Sequence, residues 1–339
     1  MLAGASPIRE VAGADPQALR EAVLGASAPV VLRDAVGHWP AVRAARASAN
    51  EAIAYLQHFD AGRGPVVATV GPAEIDGRIF YNEDLSGFNF RHEQVPLNVV
   101  LGTLRKYLQQ DAPVPTIYVA STTVDTWLPG FRADNDLDLG EADPLASIWI
   151  GNRTRIAAHQ DLPDNLACVV AGRRRFTLFP PAQLANLYIG PLDFTPAGQA
   201  ISLVDFAAPD LARFPRFAEA MAHAQSAELG PGDALFIPSM WWHHIEALEG
   251  FNVLLNYWWR QAPAWMDTPM NALMLAIMSV RELPPDQRAI WQETFRHYVF
   301  EPGDAVAGHV PEAARRVLGP LDADRARELR ARLLQRLNR

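Results

Sequence analysis

The chain has 339 residues, with 30 Lys and Arg against 38 Asp and Glu and a formal net charge of −8; that acidic balance argues against nucleic acid as the partner. Nearly half of it is hydrophobic, 49%, enough for a sizeable core, yet the longest apolar runs fall far short of the roughly 20 residues a membrane span requires. The single cysteine, Cys168, excludes an internal disulfide and a thiolate zinc cage and suits a reducing, cytoplasmic location.

The opening MLAGASPIRE has no basic stretch followed by an apolar one, so no secretory signal is expected. Asp15 can cap a first helix, Pro16 suits its first position, Leu19, Val23 and Leu24 share a face, and Gly25 ends it. The run at 29–33 then reads as a buried strand. A second helix is expected at 97–108, where Leu97, Val100, Leu101, Leu104 and Leu108 recur at helical spacing.

From about 115 to 260 the texture changes to short apolar or β-branched runs at 116–120, 147–150, 154–158, 166–171, 175–179, 201–204, 234–237 and 251–258, punctuated by Gly, Pro, Asp and Asn. Such spacing predicts a mainly β fold with some α, an all-β sandwich or barrel of which the double-stranded β-helix, or jelly roll, is one solution. One helical insert is expected at 216–225. Beyond Pro263 the pattern turns helical again, at 270–283, at 287–299 after Pro284 and Pro285, and at 324–337. The expected layout is a domain over 1–262 with its jelly-roll core at 115–260, an N-terminal α/β elaboration, and a C-terminal helical extension over 263–339. Trp291, Phe295 and Tyr298 lie at near-helical spacing in that extension and could pack on the core or form a homodimer face. The arginines of the last helix read as its solvated side.

Chemistry concentrates in two stretches. His159-Gln160-Asp161 ends the strand run at 154–158, and His243-His244 follows a Gly-Asp turn, a buried run and Pro238. In extended backbone residues two apart point the same way, so His159 and Asp161 can grip one ion together. A histidine from a distant strand would complete a face of two imidazoles and one carboxylate, which leaves three adjacent coordination positions open, as non-haem Fe(II) oxygenases need. An H-x-D triplet by itself is common, and a histidine hydrogen-bonded within a strand is the plainer reading of each residue taken alone.

Longer stretches carry a resemblance: PVVLRDAVGHWPA, YVAS, SIWIGNRTRIAAHQDLPDNLACVVAGRRRFTLFPPAQLANLY, VDFAAPDLARFPRF, GPGDALFIPSMWWHHIEAL and LNYWWR, spanning most of 28–260. They resemble the JmjC, or cupin-like, branch of Fe(II)- and 2-oxoglutarate-dependent oxygenases, and within it the asparaginyl hydroxylase type that acts on hypoxia-inducible factor. The resemblance implies a jelly-roll dioxygenase that hydroxylates a side chain of a protein or peptide, with succinate and CO2 as coproducts. It implies His159, Asp161 and His243 as ligands of Fe(II), with His244 behind them. It also implies Tyr118 and Arg174 at the distal carboxylate of 2-oxoglutarate, with Asn165 and Asn256 lining the pocket. Two departures stand out. Arg174 takes the place of the family's lysine, and Ile156 that of a Thr or Ser which contacts the cosubstrate. They keep alternatives open: a tRNA-nucleoside or small-metabolite hydroxylase, or a cupin that binds metal without 2-oxoglutarate or without catalysis.

Overall fold

A computed structural model describes residues 4–12, 21, 23, 25–140, 144–301 and 303–338. The helix expected at 15–25 falls mostly on residues outside these. The chain divides into two compact units, Met1–Arg260 and Gln261–Arg339.

In the first unit the strands of the described residues form two sheets. The larger has nine: β2 (Arg9–Ala12), β3 (Val30–Arg33), β4 (Pro65–Gly71), β6 (Arg91–Pro96), β7 (Thr116–Thr123), β8 (Leu145–Gly151), β10 (Asp164–Ala171), β13 (Ala234–Ile237) and β15 (Asn252–Trp259), in the order β2-β3-β13-β10-β15-β8-β7-β4-β6. The smaller has six: β1 (Ser6–Pro7), β5 (Arg78–Ile79), β9 (Thr154–His159), β11 (Arg174–Phe179), β12 (Gln225–Leu229) and β14 (Trp242–Ala247), ordered β1-β12-β11-β14-β9-β5. From β8 to β15 the strands alternate between the sheets, save that β11 and β12 share one, which gives the jelly-roll arrangement with cupin-like topology. The runs expected at 116–120, 147–150, 154–158, 166–171, 175–179, 234–237 and 251–258 each lie within or overlap one of these strands.

Every residue of β10 is buried, because alternate side chains enter two different cores. Leu166, Cys168 and Val170 join Trp39, Ile53, Leu101 and Leu104, where the helices Pro40–Ala47, Ala49–Phe59 and Leu97–Tyr107 cover the outer face of the larger sheet. Ala167 and Val169 turn inward to meet Phe176, Leu178, Leu229 and Leu235 between the sheets. Both faces being apolar, the sequence shows an unbroken run instead of alternation.

Two expectations shift. The run at 201–204 forms only an isolated bridge, Ile189 to Ser202, because it closes a loop instead of joining a sheet. The helical insert is shorter, Phe217–Ala222, since Gln225 already begins β12.

The second unit contains the helices Pro269–Val280, Pro285–Phe295 and Ala323–Leu337, close to the three expected, and a wider turn, Arg296–Phe300, that prolongs the second. Many of its apolar side chains are exposed, among them Met278 at 68%, Ile290 at 67% and Phe300 at 75%. No helix of the described residues is long and apolar enough to cross a membrane.

Candidate metal and carboxylate site

Strands β9 and β14 pair antiparallel, with His159 opposite His243. Their rings lie 4.2 Å apart between centroids. Asp161 reaches the same point from the turn after β9, because the strand ends at His159. That turn is tied to the loop before β14. The Asp161 carbonyl accepts the Met240 amide at 2.9 Å, Gln160 Nε2 donates to the Met240 carbonyl at 2.7 Å, and the Ser239 amide donates to Asp164 Oδ1 at 2.8 Å. Met240 adopts a positive φ of 66°, which turns the loop back so that β14 starts with its first histidine facing inward. His244, one residue on, faces the other way, its Nδ1 at 2.8 Å from the Ile156 carbonyl and its ring against Phe206.

One ligand atom from each of His159, Asp161 and His243 lies within 4.8 Å of the others, and the cluster is the one group of its kind among the described residues. His159 Nδ1 sits 2.9 Å from the Ala157 carbonyl and His243 Nδ1 3.0 Å from the Trp241 carbonyl. Each backbone carbonyl takes a proton on Nδ1 and leaves Nε2 as a lone-pair donor aimed at the cluster. Burial, then the neighbouring His243, push the His159 imidazole down to about 4, so it is neutral at pH 7. Burial alone would raise Asp161, but the His243 hydrogen bond and the charges of His243 and His159 outweigh it and hold the carboxyl at about 2. Two neutral imidazoles and one ionised carboxylate are the donors a divalent ion such as Fe(II) requires.

All seven residues singled out from the sequence, His159, Asp161, His243, Tyr118, Asn165, Arg174 and Asn256, line one cavity of about 360 Å³ between the sheets. The histidines and Arg174 come from the smaller sheet; Tyr118, Asn165 and Asn256 come from the larger. Arg174 follows a tight turn at Gly172, whose φ is +72°, and a Cβ at Gly172 would lie 2.5 Å from the Phe251 carbonyl. Arg174 is only 2% exposed. It forms no ion pair among the described residues, and its Nε is buried without a hydrogen-bond partner. Burial lowers its pKa to about 10, still well above neutrality. Burial likewise raises the Tyr118 hydroxyl, while the Arg174 charge pulls it back. An unmatched buried cation beside a neutral phenol is a fitting receptor for the far carboxylate of a dicarboxylate. Ile156 lines the same cavity and brings no hydroxyl to it. Arg175 points to the opposite face and pairs with Glu228 at 2.6 Å and Glu246 at 3.2 Å, while Arg173 pairs with Glu249 at 2.7 Å.

Several lining residues escaped the sequence reading. Trp149 stacks on Tyr118, 5.8 Å between centroids, and meets Trp258 edge-on at the same distance. Trp258 was discoverable, lying two residues beyond Asn256 on one strand and so on the same face. Thr69 and His92, paired across β4 and β6, and Gln199, whose Nε2 donates to Asp161 Oδ1 at 3.2 Å, come from segments with no motif.

Comparison with known proteins agrees with this architecture. The cupin-like domain family matches residues 16–264. HSPB1-associated protein 1 of Homo sapiens is 31% identical over 149 residues, 42% of this chain and 30% of that protein. The bifunctional peptidase and (3S)-lysyl hydroxylase JMJD7 of Homo sapiens is 24% identical over 266 residues, 68% of this chain and 77% of its own length. The tRNA wybutosine-synthesizing protein 5 of Danio rerio is 36% identical over 145 residues, 38% of this chain and 41% of that protein. The chain thus spans less than a third of the HSPB1-associated protein and under half of the tRNA-modifying one. Since the match runs through both sheets and every residue of the cavity, the chain belongs to the cupin-like domain family, in its JmjC type, which includes proteins named as hydroxylases and demethylases.

Proposed function

We propose that the chain is an Fe(II)- and 2-oxoglutarate-dependent dioxygenase that hydroxylates a side chain of a protein or peptide, releasing succinate and CO2. One observation carries the reading: a buried cluster of two imidazoles and a carboxylate shares a single cavity with a buried, unpaired arginine. His159, Asp161 and His243 would hold the iron, which supplies the oxidising chemistry when bound. Arg174 and Tyr118 would orient 2-oxoglutarate by its far carboxylate, the guanidinium donating in pairs and the hydroxyl once. Asn165 and Asn256 are joined by a 2.7 Å hydrogen bond, and Asn256 Oδ1 is otherwise unpartnered, so the pair offers polar contacts midway along the cavity. Trp149 and Trp258, with Ile156, Ile245 and Leu254, keep water from the reacting atoms.

A protein substrate is supported by the similarity to proteins named as a lysyl hydroxylase and lysine demethylases. Within the family we assign the chain to the asparaginyl-hydroxylase type, on the strength of VDFAAPDLARFPRF and GPGDALFIPSMWWHHIEAL. The similarity to a tRNA-modifying protein supports a second reading, a hydroxylase of a modified nucleoside, against which the net charge of −8 weighs. Residues 1–262 would form the oxygenase domain and 263–339 a homodimerisation element, through the exposed Trp291, Tyr298 and Phe300. A cytoplasmic location belongs to the same proposal and rests on the lone, buried thiol of Cys168.

Succinate measured by mass spectrometry after aerobic incubation with Fe(II) and 2-oxoglutarate tests the proposal. Slow, metal-dependent succinate formation is expected from the protein alone, rising when a suitable peptide is added. A complete lack of metal-dependent succinate contradicts it and leaves a cupin that works without 2-oxoglutarate.

A further inference from the structure

Resting on that reading of the site, we propose that Gln199 is a positioning residue that confines Asp161 to a single coordinating oxygen. The carboxylate of Asp161 has two oxygens in different surroundings. Oδ2 faces the cluster, 3.5 Å from His243 Nε2. Oδ1 is turned away to accept the Gln199 carboxamide at 3.2 Å. Among the described residues no other carboxamide reaches it, and the side chain is buried, so water does not compete freely for Oδ1.

The distinction matters chemically. A carboxylate with both oxygens free can chelate an ion through the pair and so take an additional position. Two histidines and a chelating carboxylate would leave a six-coordinate ion only two positions, whereas the keto acid needs two and O2 a third. A donor on Oδ1 lowers that oxygen's affinity for the ion and keeps the third position open.

The segment that delivers Gln199 is pinned at both ends. At its base the Gly190 amide donates to the Ile201 carbonyl at 2.9 Å. The Ser202 amide donates to the Ala158 carbonyl at 2.8 Å, one residue before His159. Just before Gln199, Thr195 Oγ1 accepts the Gly198 amide at 2.8 Å, and Gly198 takes a φ of +95° that turns the next side chain toward Asp161. At its far side the Tyr81 hydroxyl donates to the Phe194 carbonyl at 2.5 Å, and Phe194 stacks on Phe88 with centroids 4.8 Å apart. The loop that runs into 201–204 without joining a sheet therefore delivers the donor that orients the carboxylate.

The test separates metal affinity from cosubstrate affinity in the full-length protein. Co(II) binding is titrated by its visible ligand-field spectrum, and 2-oxoglutarate binding is then measured on the Mn(II)-loaded protein without O2. Gln199→Leu, which keeps the bulk and removes the donor, is expected to weaken 2-oxoglutarate about ten-fold. Its Co(II) affinity should stay within about three-fold of wild type, and the Co(II) spectrum should change shape as the second oxygen coordinates. Gln199→Glu, of equal shape and also without the donor at neutral pH, should behave alike and serves if the leucine variant misfolds. Parallel losses of Co(II) and 2-oxoglutarate would mark a merely structural role and overturn the proposal, as would an unchanged spectrum and cosubstrate affinity. Wild-type protein that binds neither Co(II) nor 2-oxoglutarate overturns the reading of the whole site, and the role of Gln199 with it.

Discussion

At one end of the cavity the Asp161 carboxylate is surrounded by donors, with His243 and His159 on one side and Gln199 on the other; at the opposite end the Arg174 guanidinium is as deeply buried and has no counter-charge. The first end is a set of ligands whose protonation is settled before any ion arrives. The second is an incomplete ion pair, and a buried unpaired charge costs several kcal/mol unless something neutralises it. A protein that keeps such a charge has given up stability for binding, which marks the Arg174 end as the one shaped around an anion.

Replacing Arg174 is the sharpest way to break the comparison. Arg174→Met should weaken 2-oxoglutarate by about 100-fold or more, the usual scale for truncating one partner of a buried charge pair. The same change should raise the stability of the ligand-free protein by roughly 1 kcal/mol or more, since it removes an unmatched charge. Calorimetric titration and urea unfolding on one preparation check both; a loss of stability would mean that Arg174 is a structural residue.

Acid should act on the two ends differently. Burial first, and then neighbouring charges, hold His159 at about 4 and His244 at about 3, whereas imidazoles in the unfolded chain take up protons near 6.5. Between those values the unfolded state binds more protons, so stability is full above about 6.5 and is lost as pH falls through the window. From pH 7 to pH 5.5 the loss should be about 1 kcal/mol for each histidine, seen as a lower urea midpoint in metal-free protein. Arg174 keeps its charge throughout. His244→Phe should remove about half of the loss.

The smallest expected effect concerns Ile156. Ile156→Thr would restore a hydroxyl to the cavity wall and should tighten 2-oxoglutarate by roughly three-fold, the worth of one modest hydrogen bond. No change would mean that Arg174 has already moved the cosubstrate away from that wall.

Much of this was legible in the sequence, unevenly. Strand β10 announced itself, since Leu166, Cys168 and Val170 on one face and Ala167 and Val169 on the other are all apolar. Strand β14 did not, because Trp242-His243-His244 carries polar groups that are buried for chemistry instead of packing. The ligands and Arg174 were found by motif, but not that Arg174 lacks a partner, which depends on what fails to approach it in three dimensions. Gln199 left no trace at all, as its role arises from a loop pinned between Ala158 and Tyr81 by contacts far apart in sequence.

The central claim is that His159, Asp161 and His243 jointly hold a redox-active ion that 2-oxoglutarate chelates. Anaerobic addition of Fe(II) and then 2-oxoglutarate, followed by visible absorption, tests it directly. A weak charge-transfer band in the wild type, absent in His159→Ala and Asp161→Ala, is the predicted result; a band of equal strength in either variant, or none in the folded wild type, would contradict it.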